Sequence, residues 1–166
     1  MPAPTVIEAN GAEIPTLGLG TWGLRGEDCA AAVRTALEAG YRHLDTASMY
    51  GNEEAVGAGL RASGVAREEV FVTTKVWYED LAPADLRRSA EASLRRLGLS
   101  RVDLLLIHWP NARIPLRDTI PALCEAKRAG LARHIGVANF TVSLLDDALR
   151  NLWDAPVHTA ALRWGT

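Results

Sequence analysis

The chain has 166 residues, and eighteen Lys and Arg against twenty Asp and Glu give it a net charge of −2 at pH 7. Without an excess of cations there is no electrostatic basis for a nucleic-acid partner. A composition of 48% hydrophobic residues is typical of a globular protein, and we expect residues 1–166 to form one domain.

Two further absences narrow the class of protein. No apolar run is long enough to cross a bilayer and no secretory signal opens the chain, so we expect a cytoplasmic protein with no membrane partner. Cys29 and Cys124 lie far apart without paired spacing, which argues against a disulfide framework or a metal site.

The elements follow a regular order along the chain. Residues 1–15 are predicted to hold a β-hairpin that turns at Asn10 and Gly11. Strands are then predicted at 16–20, 41–44, 70–74, 102–107, 133–137 and from 156. Helices are predicted at 28–39, 52–63, 83–97, 119–129 and 141–150, with Pro121 in the first turn of the fourth and Thr141 as cap of the fifth.

Strands that alternate with helices predict βαβ crossovers and a parallel sheet covered by helices. Two architectures have this pattern, a (β/α)8 barrel and an open doubly wound sheet. A complete barrel needs about 250 residues, so this chain supplies about five to six of the eight units.

The glycines Gly18, Gly20 and Gly23 match the spacing G-x-G-x-x-G of a dinucleotide-binding turn, and Asp45 ends the next predicted strand. The match is incomplete, because Leu24, Arg25 and a further glycine, Gly26, intervene between Gly23 and the predicted helix. A glycine-rich βα loop explains the pattern better, but the open Rossmann sheet remains an alternative.

Three consecutive predicted strands end in chemically active side chains: Asp45, Lys75 and His108. The carboxyl ends of parallel strands share one edge of the sheet, where catalytic groups collect in barrels. Tyr50 lies in the loop after Asp45 and can reach the same edge. Each residue alone could be a cap, a core group or a surface charge, but together they predict a site.

The chemistry of this set is the protonation of an oxygen. We expect the Lys75 cation to lower the pKa of Tyr50 and so to make its phenol a better acid. Asp45 would hold Lys75 charged, and His108 would orient the substrate oxygen. None of these groups is a source of hydride, so a cofactor must supply the electrons.

Several motifs in this order resemble the aldo-keto reductase family, in particular its bacterial diketogluconic acid reductases. The resemblance runs from residue 5 to residue 156. It rests on DTASMYGNE at 45–53, TKVW at 74–77, LGL at 97–99, VDL at 102–104, IHWP at 107–110 and GVANF at 136–140.

The resemblance implies a parallel (β/α)8 barrel and NADPH-dependent reduction of an aldehyde or ketone to an alcohol. It implies a catalytic tetrad of Asp45, Tyr50, Lys75 and His108, with Tyr50 as general acid. The implied cofactor contacts are Gly20, Thr21, Asp45 and Asn139. The residues implied to line the carbonyl pocket are Trp22, Tyr50, Trp77, His108 and Trp109.

The resemblance ends before the chain does. Residues 157–166 depart from the family pattern, and we interpret them as an aberrant tail from a frameshifted or truncated gene. Since the last barrel strands commonly form the phosphate site, we expect weak NADPH binding, self-association in place of the family's monomer, and little activity. A non-catalytic binding protein, or an inactive remnant, on the same scaffold is the alternative.

Overall fold

The computed structural model describes residues 5–152. The predicted strand from residue 156 and the tail at 157–166 lie outside these residues, as do the first four residues of the hairpin region. The described chain forms a two-stranded antiparallel sheet and a five-stranded parallel sheet with helices between its strands. None of the described helices combines the length and apolar character needed to cross a membrane.

The two-stranded sheet is the predicted hairpin. Strands β1 (Val6–Ala9) and β2 (Ala12–Pro15) pair in antiparallel register. Asn10 and Gly11 both have positive φ, 49° and 79°, as a two-residue turn of this kind requires. The hairpin lies near the amino-terminal edge of the larger sheet, where it lines a cavity of about 550 Å³ together with Arg42, Phe71 and Asp103.

The larger sheet contains the strands in chain order, each followed by a helix. Its strands are β3 (Leu19–Gly20), β4 (His43–Asp45), β5 (Phe71–Val76), β6 (Val102–Ile107) and β7 (Ala132–Val137). The helices are α1 (Gly26–Glu38), α2 (Glu53–Ala62), α3 (Pro83–Leu97), α4 (Leu116–Arg128) and α5 (Val142–Arg150). Short 3-10 turns span Ser48–Tyr50, Arg67–Glu69 and Tyr78–Asp80.

The strand order decides between the two predicted architectures. All four strand pairs are parallel, and the order β3-β4-β5-β6-β7 follows the sequence without reversal. A Rossmann sheet reverses its order at a switch point, whereas a barrel does not. The described chain therefore forms five units of an incomplete (β/α)8-type barrel, and the Rossmann alternative is wrong.

The core lies between the sheet and its helices. All six residues of β6 are buried, and Leu105 and Ile107 belong to a large apolar cluster that includes residues from every helix. Leu104 and Leu106 face the other side of the sheet with Ala138. Burial of each such Leu or Ile contributes about 1.5–3 kcal/mol, so β6 anchors the sheet that carries the site.

Several predicted boundaries need correction. Helix α4 begins at Leu116 rather than at Thr119, so Pro121 lies inside the helix instead of in its first turn. Pro121 is exposed, while its neighbours Ile120, Leu123 and Cys124 are buried. Their burial compensates for the backbone hydrogen bond that proline cannot donate. Strand β5 extends to Val76, so Lys75 lies within the strand and not after it.

Candidate active site

The carboxylate of Asp45 stands at the end of β4. Asp45 is the last residue of the strand and pairs with Gly20 of β3 and Thr73 of β5. Its backbone carbonyl accepts hydrogen bonds from the backbone N–H and the hydroxyl of Thr21, both at 3.0 Å. These bonds fix the end of β4 and hold the carboxylate at the edge of the sheet.

The ammonium of Lys75 faces three oxygen atoms. Its Nζ donates to Asp45 Oδ1 at 2.6 Å and to the Thr46 carbonyl at 3.0 Å, and it lies 3.5 Å from Tyr50 Oη. Lys75 is only 4% exposed. Burial lowers the pKa of Lys75, and the charge and hydrogen bond of Asp45 oppose that change.

Tyr50 comes to this edge on the 3-10 turn Ser48–Tyr50. Its ring centroid is 5.2 Å from Lys75 Nζ and 5.6 Å from the His108 ring. Burial, reinforced by the Asp45 carboxylate, raises the pKa of Tyr50 to about 12. The expectation that Lys75 lowers this pKa is therefore wrong, because Lys75 is paired with Asp45 and cannot offset desolvation of the phenolate.

His108 follows β6 directly and is held by a backbone hydrogen bond from its N–H to the Val76 carbonyl at 3.0 Å. Its side chain is buried, and its ring packs edge-on against Trp77 at 5.2 Å. Burial, with a smaller effect from the Lys75 charge, lowers the pKa of His108 to about 4. The imidazole is therefore neutral at pH 7 and can donate one hydrogen bond.

The predicted tryptophans stand around the four polar residues. Trp22 packs edge-on against Tyr50 at 4.9 Å and is 62% exposed. Trp77 is half-buried and contacts His108. Trp109 comes next to His108 in the chain and is 47% exposed. Exposed indole surface beside a buried polar group is suited to holding a small organic molecule.

The predicted cofactor residues lie on the same edge but differ in access. Gly20 is exposed, and a Cβ added to it would meet nothing within 4 Å. Asn139, with φ of 60°, donates from Nδ2 to the His108 carbonyl at 2.8 Å, which places its amide beside the tetrad. Thr21 is fully buried, and its hydroxyl is committed to Asp45. Thr21 therefore stabilises the end of β3 through its hydrogen bonds to the Asp45 carbonyl.

Two buried polar atoms of the site have no hydrogen-bond partner among the described residues. These atoms are Asp45 Oδ2 and His108 Nδ1. Buried polar atoms are normally paired, and an unpaired one at a site edge can be satisfied by a bound molecule. A ribose hydroxyl could donate to the Asp45 oxygen, so these residues fit a nicotinamide nucleotide.

Sequence reasoning missed a set of supporting residues. The Ser48 hydroxyl donates to the Lys75 carbonyl at 3.0 Å, and the Thr46 hydroxyl donates to Asn52 Oδ1 at 2.9 Å. Asn52 and Thr46 are both buried. All three lie in the DTASMYGNE motif at 45–53, but the motif does not show which partners their side chains contact.

The carboxyl edge of the parallel sheet carries an acid, an amine, a phenol and an imidazole. A polar site at the strand ends is typical of barrel-type proteins. Residues 16–162 match the Aldo/keto reductase family. The chain belongs to this family.

Similar proteins agree with that assignment. Methylglyoxal reductase DkgB of Escherichia coli O157:H7 is 46% identical over 138 residues, which are 82% of this chain and 52% of that protein. Glyoxal reductase of Bacillus subtilis is 45% identical over 148 residues, 89% of this chain and 53% of that protein. The chain thus spans about half the length of these relatives.

Solved structures share the fold. A protein provisionally named 2,5-diketo-D-gluconic acid reductase B superposes with a TM-score of 0.90 at 41% identity, over 96% of this chain and 56% of that one. The aldo-keto reductase of Bombyx mori in complex with NADP superposes with a TM-score of 0.86 at 34% identity, over 99% of this chain and 59% of that one.

Proposed function

We propose that this protein reduces an aldehyde or ketone to an alcohol with NADPH as hydride donor. The observation that carries the proposal is the position of Lys75 Nζ, 2.6 Å from Asp45 Oδ1 and 3.5 Å from Tyr50 Oη. The relatives named for methylglyoxal and glyoxal favour a small carbonyl compound as substrate. We further propose that the protein acts in the cytoplasm.

Tyr50 is the proposed general acid. Because its pKa is about 12, the phenol is protonated at neutral pH and holds a proton for the substrate oxygen. The alkoxide formed on reduction is a stronger base than a phenolate, so the proton moves from Tyr50 Oη to the alkoxide. The ammonium of Lys75 then stabilises the phenolate left behind, and Asp45 holds that ammonium in place.

His108 positions the substrate in this proposal. A neutral imidazole with a pKa of about 4 can donate a hydrogen bond to the carbonyl oxygen but does not compete with Tyr50 as acid. Trp22, Trp77 and Trp109 bound the space around the carbonyl. The same oxygen thus receives one hydrogen bond from His108 and one from Tyr50.

The cofactor would lie on the exposed rim next to these groups. When bound, NADPH supplies the hydride that becomes the C–H bond of the alcohol. Gly20 leaves room for the close approach of a nucleotide, Asp45 Oδ2 can accept from a ribose hydroxyl, and Asn139 can bind the carboxamide. Thr21 contributes by holding the end of β3, which carries Gly20.

The second candidate function is that of a non-catalytic binding protein, or of an inactive remnant, on this scaffold. Such a protein would have the same fold but would not reduce carbonyl compounds.

The test combines cofactor binding with catalysis. NADPH is titrated into the purified chain by fluorescence, and aldehyde-dependent NADPH oxidation is followed with a panel that includes methylglyoxal and glyoxal. Replacing Tyr50 by Phe should abolish reduction and preserve NADPH binding. Tyr41→Phe, which changes a tyrosine in the connection between α1 and β4, should leave both unchanged. NADPH binding without NADPH oxidation would favour the non-catalytic binding protein. The absence of both would favour the inactive remnant.

A further inference from the structure

A buried amide lies beneath the four polar residues and joins two loops of the site. Asn52 is 3% exposed. Its Nδ2 donates to the backbone carbonyls of Thr21 at 2.8 Å and Leu24 at 3.1 Å, and its Oδ1 accepts from the Thr46 hydroxyl at 2.9 Å. Both N–H groups and the carbonyl oxygen of the amide are therefore in use.

Helix capping does not explain this arrangement. Asn52 precedes α2 at the N-cap position, where an asparagine side chain usually accepts from the first backbone N–H groups of the helix. Here the side chain makes no such bond. A buried amide directed away from its own helix is committed to the two loops instead.

Each partner of Asn52 stands next to a residue of the site. The Thr46 carbonyl accepts from Lys75 Nζ at 3.0 Å. Thr21 and Leu24 stand on either side of the pair Trp22 and Gly23, and the Trp22 ring packs on Tyr50. Asn52 thus contacts the backbone that holds these groups.

We propose that Asn52 is a positioning residue, which holds Thr46 so that the Thr46 carbonyl accepts from Lys75 and directs its ammonium toward Tyr50. Its effect on the rate rests on the proposed function, whereas its effect on Lys75 does not. The ammonium has three N–H groups and three oxygens before it. Loss of one acceptor leaves a buried charged donor unmet, which disfavours the charged form.

The titration of Lys75 reports this role directly. The chain has only two lysines, so protein labelled with ¹³C at lysine Cε gives two signals, and Lys127→Arg assigns them. Asn52→Ala should lower the pKa of Lys75 by about one unit. The charged or titratable groups that face this ammonium are Asp45, Tyr50 and His108, and none of the variants changes them.

Thr46→Val tests the route by which Asn52 acts. This variant removes the hydroxyl that donates to Asn52 but keeps the side-chain shape and the backbone carbonyl. It should lower the pKa of Lys75 to a similar extent, and the double variant should shift it no further than the larger single variant. Two shifts that simply add would overturn the proposed route.

A matched control separates positioning from general destabilisation. Leu60→Ala opens space under the same helix α2, where Leu60 is 4% exposed, and makes no polar change. Leu60→Ala should lower the melting temperature without moving the pKa of Lys75. An equal shift in Leu60→Ala, or an unchanged Lys75 pKa in Asn52→Ala, would overturn the proposal.

Catalysis gives a second readout. Where the wild-type chain reduces aldehydes, Asn52→Ala should lower kcat about tenfold with little change in KM, because the ammonium and not the pocket is altered. If the wild-type chain reduces no aldehyde but Asn52→Ala still shifts Lys75, the proposed function fails and the positioning role stands.

Discussion

Two carboxylates at opposite edges of the sheet differ in how many of their oxygens have a hydrogen-bond or ion-pair partner. At the start of β6, Asp103 Oδ2 accepts from Arg67 Nη2 at 2.7 Å and from the Val72 N–H at 2.9 Å, and Oδ1 lies 3.4 Å from Arg133 Nε. At the end of β4, Asp45 Oδ1 accepts from Lys75, while Oδ2 has no partner among the described residues.

The difference distinguishes a structural carboxylate from the one that we propose takes part in the reaction. Asp103 uses both oxygens to join β5, β6 and β7. Asp45 keeps one buried oxygen unmet, which costs stability unless another molecule binds there. The side chain of Asp45 is also more exposed than that of Asp103, 19% against 6%.

Removing the satisfied carboxylate should produce the largest effect on stability. Asp103→Ala leaves the Val72 N–H and two arginines without their acceptor, so the free energy of unfolding should fall by about 3 kcal/mol. Urea denaturation measures this loss. Any reductase activity per folded molecule should stay unchanged. A fall in that activity would contradict the proposal that only the edge with Asp45 takes part in the reaction.

Removing the incompletely satisfied carboxylate should affect catalysis instead. In Asp45→Asn the Lys75 ammonium loses its negative partner, so the rate of carbonyl reduction should fall about 100-fold. Aldehyde-dependent NADPH oxidation measures it. The loss of unfolding free energy should be smaller than in Asp103→Ala. The opposite ranking, with an unchanged rate, would make Asp45 a structural residue.

Acid should destabilise the fold by protonating His108, which lies at the same edge as Asp45. His108 has a folded pKa of about 4, below the ordinary value of 6.5, so the unfolded chain binds the proton more readily. Stability contributed by neutral His108 is present above pH 6.5 and is lost as the pH falls toward 4.

Between pH 7 and pH 5 this loss should be about 2 kcal/mol. Urea denaturation at both pH values measures it. His108→Gln, which keeps a polar side chain without a titrating group, should show a smaller fall. Because burial also lowers the pKa of His43 and His134, part of the acid effect should remain in this variant. An equal fall in both proteins would exclude His108 as a source.

The smallest effect is expected in a helix away from both carboxylates. The Thr141 hydroxyl accepts from the Leu144 N–H at 3.3 Å and caps α5. Thr141→Ala should lower the free energy of unfolding by about 1 kcal/mol. Ser143→Ala, an exposed position in the same turn, is the control. A larger loss in the control would show that the first turn of α5 depends on another contact.

Much of the fold could be predicted because local signals agree with the tertiary structure. The apolar strand β6 has the predicted bounds, and the turn at Asn10 and Gly11 has the predicted geometry. The predicted start of α4 is wrong because Pro121 favours a first-turn position, whereas the buried face around it extends the helix back to Leu116. Tertiary packing can override such a local preference.

The sequence predicts that the four polar residues lie together, but it does not predict their electrostatics. Asp45, Lys75 and His108 stand at strand ends, so topology alone brings them together. The raised pKa of Tyr50 depends on the depth of burial and on the pairing of Lys75 with Asp45, which strand order does not specify. The role of Thr46 and Asn52 depends on which way a buried amide points.

Transfer of deuterium tests the central claim most directly. The wild-type chain is incubated with NADPH that carries deuterium on its reactive carbon and with an aldehyde, and the alcohol is analysed by mass spectrometry. We predict an alcohol with one deuterium on the former carbonyl carbon, and none above background with Tyr50→Phe. An alcohol without deuterium, or equal labelling by both proteins, would contradict the assignment of this edge as a carbonyl reductase site.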